Sequence, residues 1–428
     1  MPNILDDNVL SLHDEQHYAL DRLDNTKGVI FITGKAGTGK STLFNLYNRI
    51  SKKKTVVLAP TGIAAINVGG QTIHSFFRFP PGFVGANDLH PLSKSLVKKI
   101  ELIVIDEISM VRADMLDNID KVLRISTQSN VPFGGIPMVW IGDLYQLPPI
   151  VSSAEEREYF SKYYESPYFF SANVMKQLED FELIELNQVF RQKDQHFIKL
   201  LNKIRVNEID EEEFEYLNER LLPIPEDSDK PFISLCTTNA IANQINSTEL
   251  AKLNVESRNY QAHITGSVSA SQFPVEQQLV FKIGAQVMTI RNSTDKTYVN
   301  GSLGIVEELG VDYVKVKFHE IQESIKISKI SWEIIRYKAQ GDELKKETIG
   351  SYEQLPLRLA WAVTVHKSQG KSFDQIIVDF GRGAFETGQA YVALSRCRTL
   401  DGIYLKQKLN WRDIRTDERV SEFLRKYS

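Results

Sequence analysis

Cysteine is nearly absent from this chain. Of 428 residues only Cys236 and Cys397 are cysteines, far apart and outside any CxxC pattern, which argues against a disulfide framework and a cysteine-built zinc site. A reducing, intracellular setting is the expectation. Long apolar runs are also missing: stretches such as "ELIVI" and "LAWAV" fall far short of the roughly 20 residues that span a bilayer. The N-terminus "MPNILDDNVL" has neither the basic flank and apolar core of a secretory signal nor the arginine-rich pattern of a transit peptide. A soluble, cytoplasmic protein without membrane contact is therefore expected. Charge of one sign is lacking too. With a net charge of -4 and a pI of about 6.1, no global basic field announces a nucleic-acid partner, although a local basic groove stays open.

What is present suits ordinary globular cores, with 42% hydrophobic and 25% charged residues, in a chain too long to be comfortably one domain. The stretch "FITGKAGTGKST", residues 31 to 42, follows an apolar run and precedes the helically spaced "TLFNLYNRI". This is the GxxxxGK[ST] pattern in the strand, loop, helix context that a phosphate-binding loop requires. Gly34, Gly37 and Gly39 let the backbone turn so that its N–H groups converge on phosphate oxygens at a helix N-terminus. Lys40 then reaches the β and γ phosphates, Ser41 offers a hydroxyl to Mg²⁺, and Ala36, Thr38 and Thr42 complete the ATP-binding set. The alternative, a glycine-rich turn with a surface lysine, fits the flanks less well.

A second acidic metal partner stands in "ELIVIDEISM", an apolar strand ending in Asp106 and Glu107. There Asp106 would enter the Mg²⁺ shell and Glu107 would polarise the attacking water; two carboxylates merely capping the next helix are the alternative. Further strand-like runs at 55–60, 137–143, 231–239 and 375–381 alternate with helical stretches, the signature of parallel α/β sheets. They lie on both sides of residue 184, so two α/β domains are the economical reading. Between 292 and 354 short alternating runs broken by Gly, Asn and Asp read as a small antiparallel barrel. The acidic run "NEIDEEEFEYLNER" reads as a solvated helix without a role in chemistry.

The ordered set "GKAGTGKS", "APTGIAA" with "TIHSFF", "IDEISM", "GDLYQLPP", "LNQVFRQ", "WAVTVHKSQG" and "YVALSRC" resembles the motifs of superfamily 1 helicases, and their wording is most similar to the Pif1 family. The stretch from Ser109 to Arg124 followed by "VPFGG" is similar to that family's signature segment. The resemblance runs from about residue 11 to 398 and implies two RecA-like P-loop domains. These are 1–183, with a small insertion at about 74–92, and 184–291 with 355–428, the latter interrupted by an SH3-like β-barrel at 292–354.

The resemblance also implies roles. In "SLHDEQ", similar to the family's Q motif, Gln16 would read the adenine edge, since an amide both donates and accepts; Gly370 joins the nucleotide set. Gln146 would sense the γ phosphate and Asp143 orient its loop. Arg191 and Arg396, placed in the second domain, would reach the nucleotide only on domain closure, as arginine fingers. ATP would bridge the domains and hydrolysis release them, moving a gripped strand stepwise.

Contacts to DNA are expected from Pro60, Thr61, Thr72, His74, Ser75 and Phe76 in the first domain, and from Thr238, Asn239, Thr364, His366 and Lys367 in the second. They suit phosphate and sugar rather than base edges. Phe76, Phe77 and Phe79 could stack bases or form a strand-separating pin, and packing in a small loop domain is an equal alternative. The implied function is an ATP- and Mg²⁺-dependent DNA helicase moving 5′ to 3′ on single strands and at junctions, monomeric or weakly self-associating on DNA. G-quadruplexes and RNA–DNA hybrids are implied by the family alone. A translocase with weak unwinding and a nucleotide-switched binding protein remain alternatives.

Overall fold

The structure, a computed structural model, describes residues 12–427 apart from 81, 152, 193, 226–229, 294, 296, 320, 322 and 342. The N-terminal segment on which the targeting expectation rests, and the first residue of "SLHDEQ", lie outside the described residues. No helix among the described residues is long and apolar enough to cross a membrane.

Two parallel sheets organise the chain. The first has six strands in the spatial order Gln71–Thr72, Thr55–Ala59, Leu102–Asp106, Met138–Ile141, Val29–Gly34 and Phe181–Leu186. Helices cover both faces, so Val29–Gly34, Leu102–Asp106 and Met138–Ile141 are buried at every position. This is why they read as unbroken apolar runs rather than alternating ones. The second sheet has four strands, in the order Ala362–Thr364, Ile233–Cys236, Ile376–Asp379 and Ile403–Leu405. The acidic run forms the helix Glu211–Asn218, capped by Asp210, with Phe214 and Leu217 turned into this second core.

Three boundaries differ from expectation. The strand Phe181–Leu186 pairs with Val29–Gly34 along its whole length, which carries the first sheet past residue 184. The antiparallel part begins at Ser257 rather than 292, because Ser257–Gln261, His263–Gly266, Gln278–Lys282 and Gln286–Thr289 are already strands of it. Tyr260, Leu279 and Phe281 share one core with Val306, Val316 and Leu357, so that small unit could not close without them. Finally, the helix Glu418–Tyr427 leaves the second sheet. Val420, Phe423, Leu424 and Tyr427 recur at i, i+3, i+4, i+7 and form one apolar stripe. Phe423 stacks on Phe170 at 4.6 Å and lies against Phe31 and Phe181, tying the C-terminus to the first sheet.

A long hairpin, Ile330–Gln340 with Glu343–Gln354, also reaches the first domain. The buried Tyr337 hydroxyl accepts the Val57 N–H at 3.0 Å and its ring meets Phe76 edge-on. Lys346 Nζ donates to the Gly69 carbonyl at 2.5 Å.

Candidate active site and nucleic-acid interface

The loop 34–40 turns between the strand Val29–Gly34 and the helix Lys40–Ile50. Gly39 is the helix N-cap in the left-handed region, φ 81°, where a side chain would be strained. Gly37, φ 85°, has a second constraint: a Cβ there would lie 2.6 Å from Cβ of Arg191. The chain 190–191 runs directly over the loop, with the Phe190 N–H donated to the Gly37 carbonyl at 2.9 Å. Lys40 Nζ donates to the carbonyls of Gly34 at 2.7 Å and Lys35 at 3.1 Å. Burial pulls the Lys40 ammonium below its ordinary pKa, and Asp143 and Glu107 oppose that shift. Thr38 is buried and donates to the Lys35 carbonyl, whereas Ser41 and Thr42 lie exposed on the first helical turn.

Gln16 is buried against this loop. Its Oε1 accepts the His13 N–H at 3.2 Å, and its Nε2 lies 3.5 Å from where a Cβ on Gly39 would sit. The half-exposed Phe190 ring stands beside the same glycine, 5.6 Å from the His13 ring.

Asp106 ends its strand, and Glu107 follows at φ 53°, ψ 43°. A left-handed non-glycine residue stores about 1–3 kcal/mol of strain and is held there only by its surroundings. Burial raises both carboxyl pKa values; Asp106 raises Glu107 further, and Lys40 pulls both back. A base must be deprotonated to act, so a raised pKa moves the acid limb of kcat/KM upward in pH. Glu107→Gln is expected to keep ATP affinity while turnover falls roughly 100-fold. The acid limb assigned to Glu107 should disappear with it. Nucleotide titration beside a pH series of ATPase rates checks this, and a collapse of affinity with high residual turnover would make Glu107 a binding residue.

Asp143 is an acceptor for three groups: the Tyr145 N–H at 3.2 Å, Gln146 Nε2 at 3.1 Å and Arg205 Nη2 at 3.3 Å. The other end of the Gln146 amide accepts from Gln369 Nε2 at 3.4 Å, so this side chain spans the two sheet domains. Arg191 Nη1 donates to the Ser395 carbonyl at 3.3 Å. Arg396, 1% exposed, donates through Nε to the Val392 carbonyl and through Nη2 to Ser395 Oγ, at 2.8 and 2.7 Å. Burial and the neighbouring Arg191 both disfavour its charge.

The two guanidinium groups thus converge on Ser395. The backbone at Arg191 packs on the loop while its side chain and that of Gln192 bond the second domain, so Arg191 stands at the junction of the two domains. Gly370 lines a cavity of about 500 Å³ with Tyr298, Gly301 and Lys371 and directly follows Gln369, which bonds Gln146.

Four groups at this site escape sequence reasoning. Tyr391 Oη accepts the Ala36 N–H at 2.9 Å, fastening the loop to the second domain. Gln192 donates to the carbonyls of Ser395 and Cys397, both at 3.0 Å. These two and Gln369 lie within quoted motifs, so the motifs themselves are the signal. Arg205, which pairs with Asp143 and lies 4.3 Å over the Tyr145 ring, sits in an ordinary helix and carries none.

The residues expected to meet DNA share one device. Thr61, Thr72, Thr238 and Thr364 are each the N-cap of a helix, their hydroxyl oxygens accepting the N–H of Ala64, Ser75, Ile241 and Lys367. Within each sheet the two threonines follow adjacent parallel strands: Ala59 pairs with Thr72, and Thr364 with Cys236. Each cap leaves the hydroxyl proton free to donate and clusters uncommitted helix N–H groups beside it.

Pro60 precedes the first of these caps. Asn239 is exposed beside Thr238, and Lys367 Nζ lies 3.8 Å from Glu276. Ser75 Oγ accepts from Gln71 at 2.8 Å. Burial favours neutral His74 and His366. His366 Nε2 lies 3.4 Å from Glu386 Oε2 without hydrogen-bond geometry, and burial raises the pKa of that carboxyl. Phe76 is a correction. It is 5% exposed, edge-on to Phe77, which in turn stacks on Phe79. The three rings fill the core under Tyr337 and present no face to a base.

A glycine loop with its lysine, a buried acidic pair and two arginines converging on Ser395 define a P-loop nucleoside-triphosphatase whose cleft lies between two parallel-sheet domains. The comparisons carry this further, and the chain belongs to the Pif1-like helicase family. Residues 11–215 match the family described as PIF1-like helicase, and 265–309 match the DNA helicase Pif1 2B domain. The ATP-dependent DNA helicase Pif1 of Bdellovibrio bacteriovorus is 32% identical over 98% of this chain and 92% of its own length. The human ATP-dependent DNA helicase PIF1 is 34% identical over 92% of this chain, which spans 60% of the human protein. Pif1 from Bacteroides sp, solved unliganded, is 40% identical with a TM-score of 0.88, covering 98% of this chain and 97% of that one. Its complex with ADP-AlF3 and ssDNA gives 39% and 0.71, over 98% of each.

Proposed function

We propose that this protein hydrolyses ATP to translocate 5′ to 3′ along single-stranded DNA and separate strands at single-/double-strand junctions. The observation that carries the reading is the closure of one cleft from both domains: Tyr391 on Ala36, Gln369 on Gln146, and Arg191 meeting Arg396 at Ser395. A nucleotide held there makes hydrolysis and domain separation one event.

The donor set suits Mg²⁺·ATP. Ser41 and Asp106 offer hard oxygens, and no cluster of three or more His, Cys, Asp or Glu side chains suited to a metal exists among the described residues. This fits an ion shared with substrate phosphates and water. Mg²⁺ would supply charge neutralisation at the β and γ oxygens. Loop N–H groups and Lys40 bind the phosphates, Glu107 takes the water's proton, Gln146 senses the γ phosphate, and Arg191 and Arg396 stabilise charge on the departing phosphoryl. Gln16 is assigned to the adenine.

The paired caps Thr61/Thr72 and Thr238/Thr364 would grip the strand alternately. Their chemistry addresses backbone, so G-quadruplexes or hybrids would be engaged only through a single-stranded track. Because one chain supplies both walls, a monomer suffices. The greater similarity to unliganded Bacteroides Pif1 than to its ssDNA complex supports reading the docked Tyr337 hairpin as the DNA-free arrangement.

Strand displacement on duplexes with a 5′ or a 3′ tail tests the proposal: the 5′-tailed substrate should unwind and the 3′-tailed one should not. Unwinding of neither, with ATPase still stimulated by ssDNA, would leave a translocase. Contacts are tested by salt dependence. Lys367→Ala should lower the slope of log affinity against log salt by about 0.7, one single-strand phosphate equivalent. Thr364→Ala should weaken binding at every salt with the slope unchanged, and should also remove a helix cap worth about 1 kcal/mol. Binding isotherms at several salt concentrations, beside melting curves, separate the two effects.

A further inference from the structure

Beyond the ends of the strands Ile233–Cys236 and Ile376–Asp379 lies an open cleft of about 940 Å³ that the motor described above leaves unused. Arg382, Arg412 and Arg415 are exposed in its lining. Neither Arg382 nor Arg412 has a side-chain hydrogen bond or ion pair with any described residue. Asp413 is the one carboxylate residue in the lining. It is buried and already committed, accepting the N–H groups of Ala384 at 2.8 Å and Asn410 at 2.7 Å. The cleft is therefore cationic with no free acid to neutralise it.

Two large aromatics share it. Trp411 lies flat on Phe214, ring centroids 4.0 Å apart and planes 14° off parallel. One face of the indole is thus fixed on the core while the ring stays half-exposed. Phe385 is half-exposed in the same lining. Cations along a groove with a rigid aromatic platform are the makings of a site for single-stranded nucleic acid, in which phosphates meet guanidinium groups and bases stack.

The cleft also adjoins the strand track. Thr238, which caps the helix Asn239–Lys252, lines it, and the next residue, Asn239, lines a separate cavity with Asn243, Thr364 and Lys367. A strand crossing these caps would meet both linings within the second domain.

We infer that this cleft lengthens the nucleic-acid footprint, holding nucleotides beyond the Thr238/Thr364 caps with Trp411 as stacking platform and Arg382, Arg412 and Arg415 on phosphates. The inference rests on the helicase reading. Its test is fluorescence anisotropy of the full chain with labelled oligo-dT of increasing length. Wild-type affinity should keep rising after the track between the two sheets is filled.

Arg382→Ala/Arg412→Ala should bind short oligonucleotides like wild type but gain nothing from added length. On long ones its salt slope should be lower by about 1.4, or 0.7 per arginine. Trp411→Ala should bind long oligonucleotides about tenfold more weakly, and the quenching of indole emission by long oligo-dT should vanish in Trp411→Phe. Arginine variants that match wild type at every length overturn the inference. Equal weakening on short and long oligonucleotides overturns it too, because the arginines would then act elsewhere. A wild-type chain that binds no oligonucleotide overturns the helicase reading itself.

Discussion

Lys40→Ala is expected to abolish ATP hydrolysis, leaving turnover at background in the presence of saturating ssDNA. Lys40 Nζ is held over the loop by the Gly34 and Lys35 carbonyls, close enough to Glu107 and Asp143 for their charges to shift its pKa. Arg191 and Arg205 are near as well, but Arg191 bonds Ser395 and Arg205 pairs with Asp143, so neither replaces the lysine inside the loop. Its loss removes stabilisation where charge develops. Burial already disfavours its charge, so the folded apoprotein should tolerate the substitution. Melting temperature should move little while ATPase activity and strand displacement vanish together. Near-normal turnover in this variant would remove the P-loop assignment.

What the sequence made legible follows from the range of the interactions. A P-loop is local: its glycines and lysine lie between a strand and a helix that together span residues 29–50, and the structure places them as one turn. Buried parallel strands are legible for a similar reason, since coverage on both faces removes polar alternation. Thr61, Thr72, Thr238 and Thr364 are legible as strand contacts from their motifs, whereas their shared role as helix caps is seen only in the structure. Their pairing on adjacent strands needed the register.

Contacts that close the cleft were not legible. Tyr391 and Ala36 are 355 positions apart, and nothing in local spacing says that a tyrosine beside an expected arginine finger will accept from the loop. The left-handed Glu107 was equally hidden, because a strained φ on a glutamate is imposed by packing rather than preferred by the residue. Phe76 illustrates an ambiguity of a different sort. Three phenylalanines in a short stretch suit either stacking or a core, and only the arrival of Tyr337 from a hairpin some 260 residues away decides for the core. The start of the antiparallel unit is not legible, because strands such as "SRNYQ" bury one side chain in five, too weak a pattern to stand out beside a helix.

Arg396→Ala should lower the ssDNA-stimulated kcat by about 10³-fold, the lower end of what an arginine finger supplies, while ssDNA affinity changes far less. The guanidinium lies at the end of the helix Gln389–Leu394, bonded to the Val392 carbonyl and Ser395 Oγ, with the Lys371 carbonyl at 3.5 Å. Glu107 and Asp143 are near enough to affect its charge, so it stands at the catalytic end of the cleft. A structural cost must be separated from the chemical one. Removing so large a buried side chain leaves a cavity and unpaired acceptors, which together destabilise by about 2–5 kcal/mol. Arg396→Lys provides the control, since it keeps a cation and most of the volume but loses the planar fork. It should melt within a few degrees of wild type and still lose most of kcat. Steady-state ATPase rates, ssDNA anisotropy and thermal melts on both variants decide the matter. If the lysine variant turns over normally, Arg396 is a packing residue whose alanine defect is one of folding. If kcat alone collapses in both, a positive charge is not enough and the guanidinium fork itself must be supplied from the second domain for the γ phosphoryl to leave, a requirement that couples hydrolysis to domain closure.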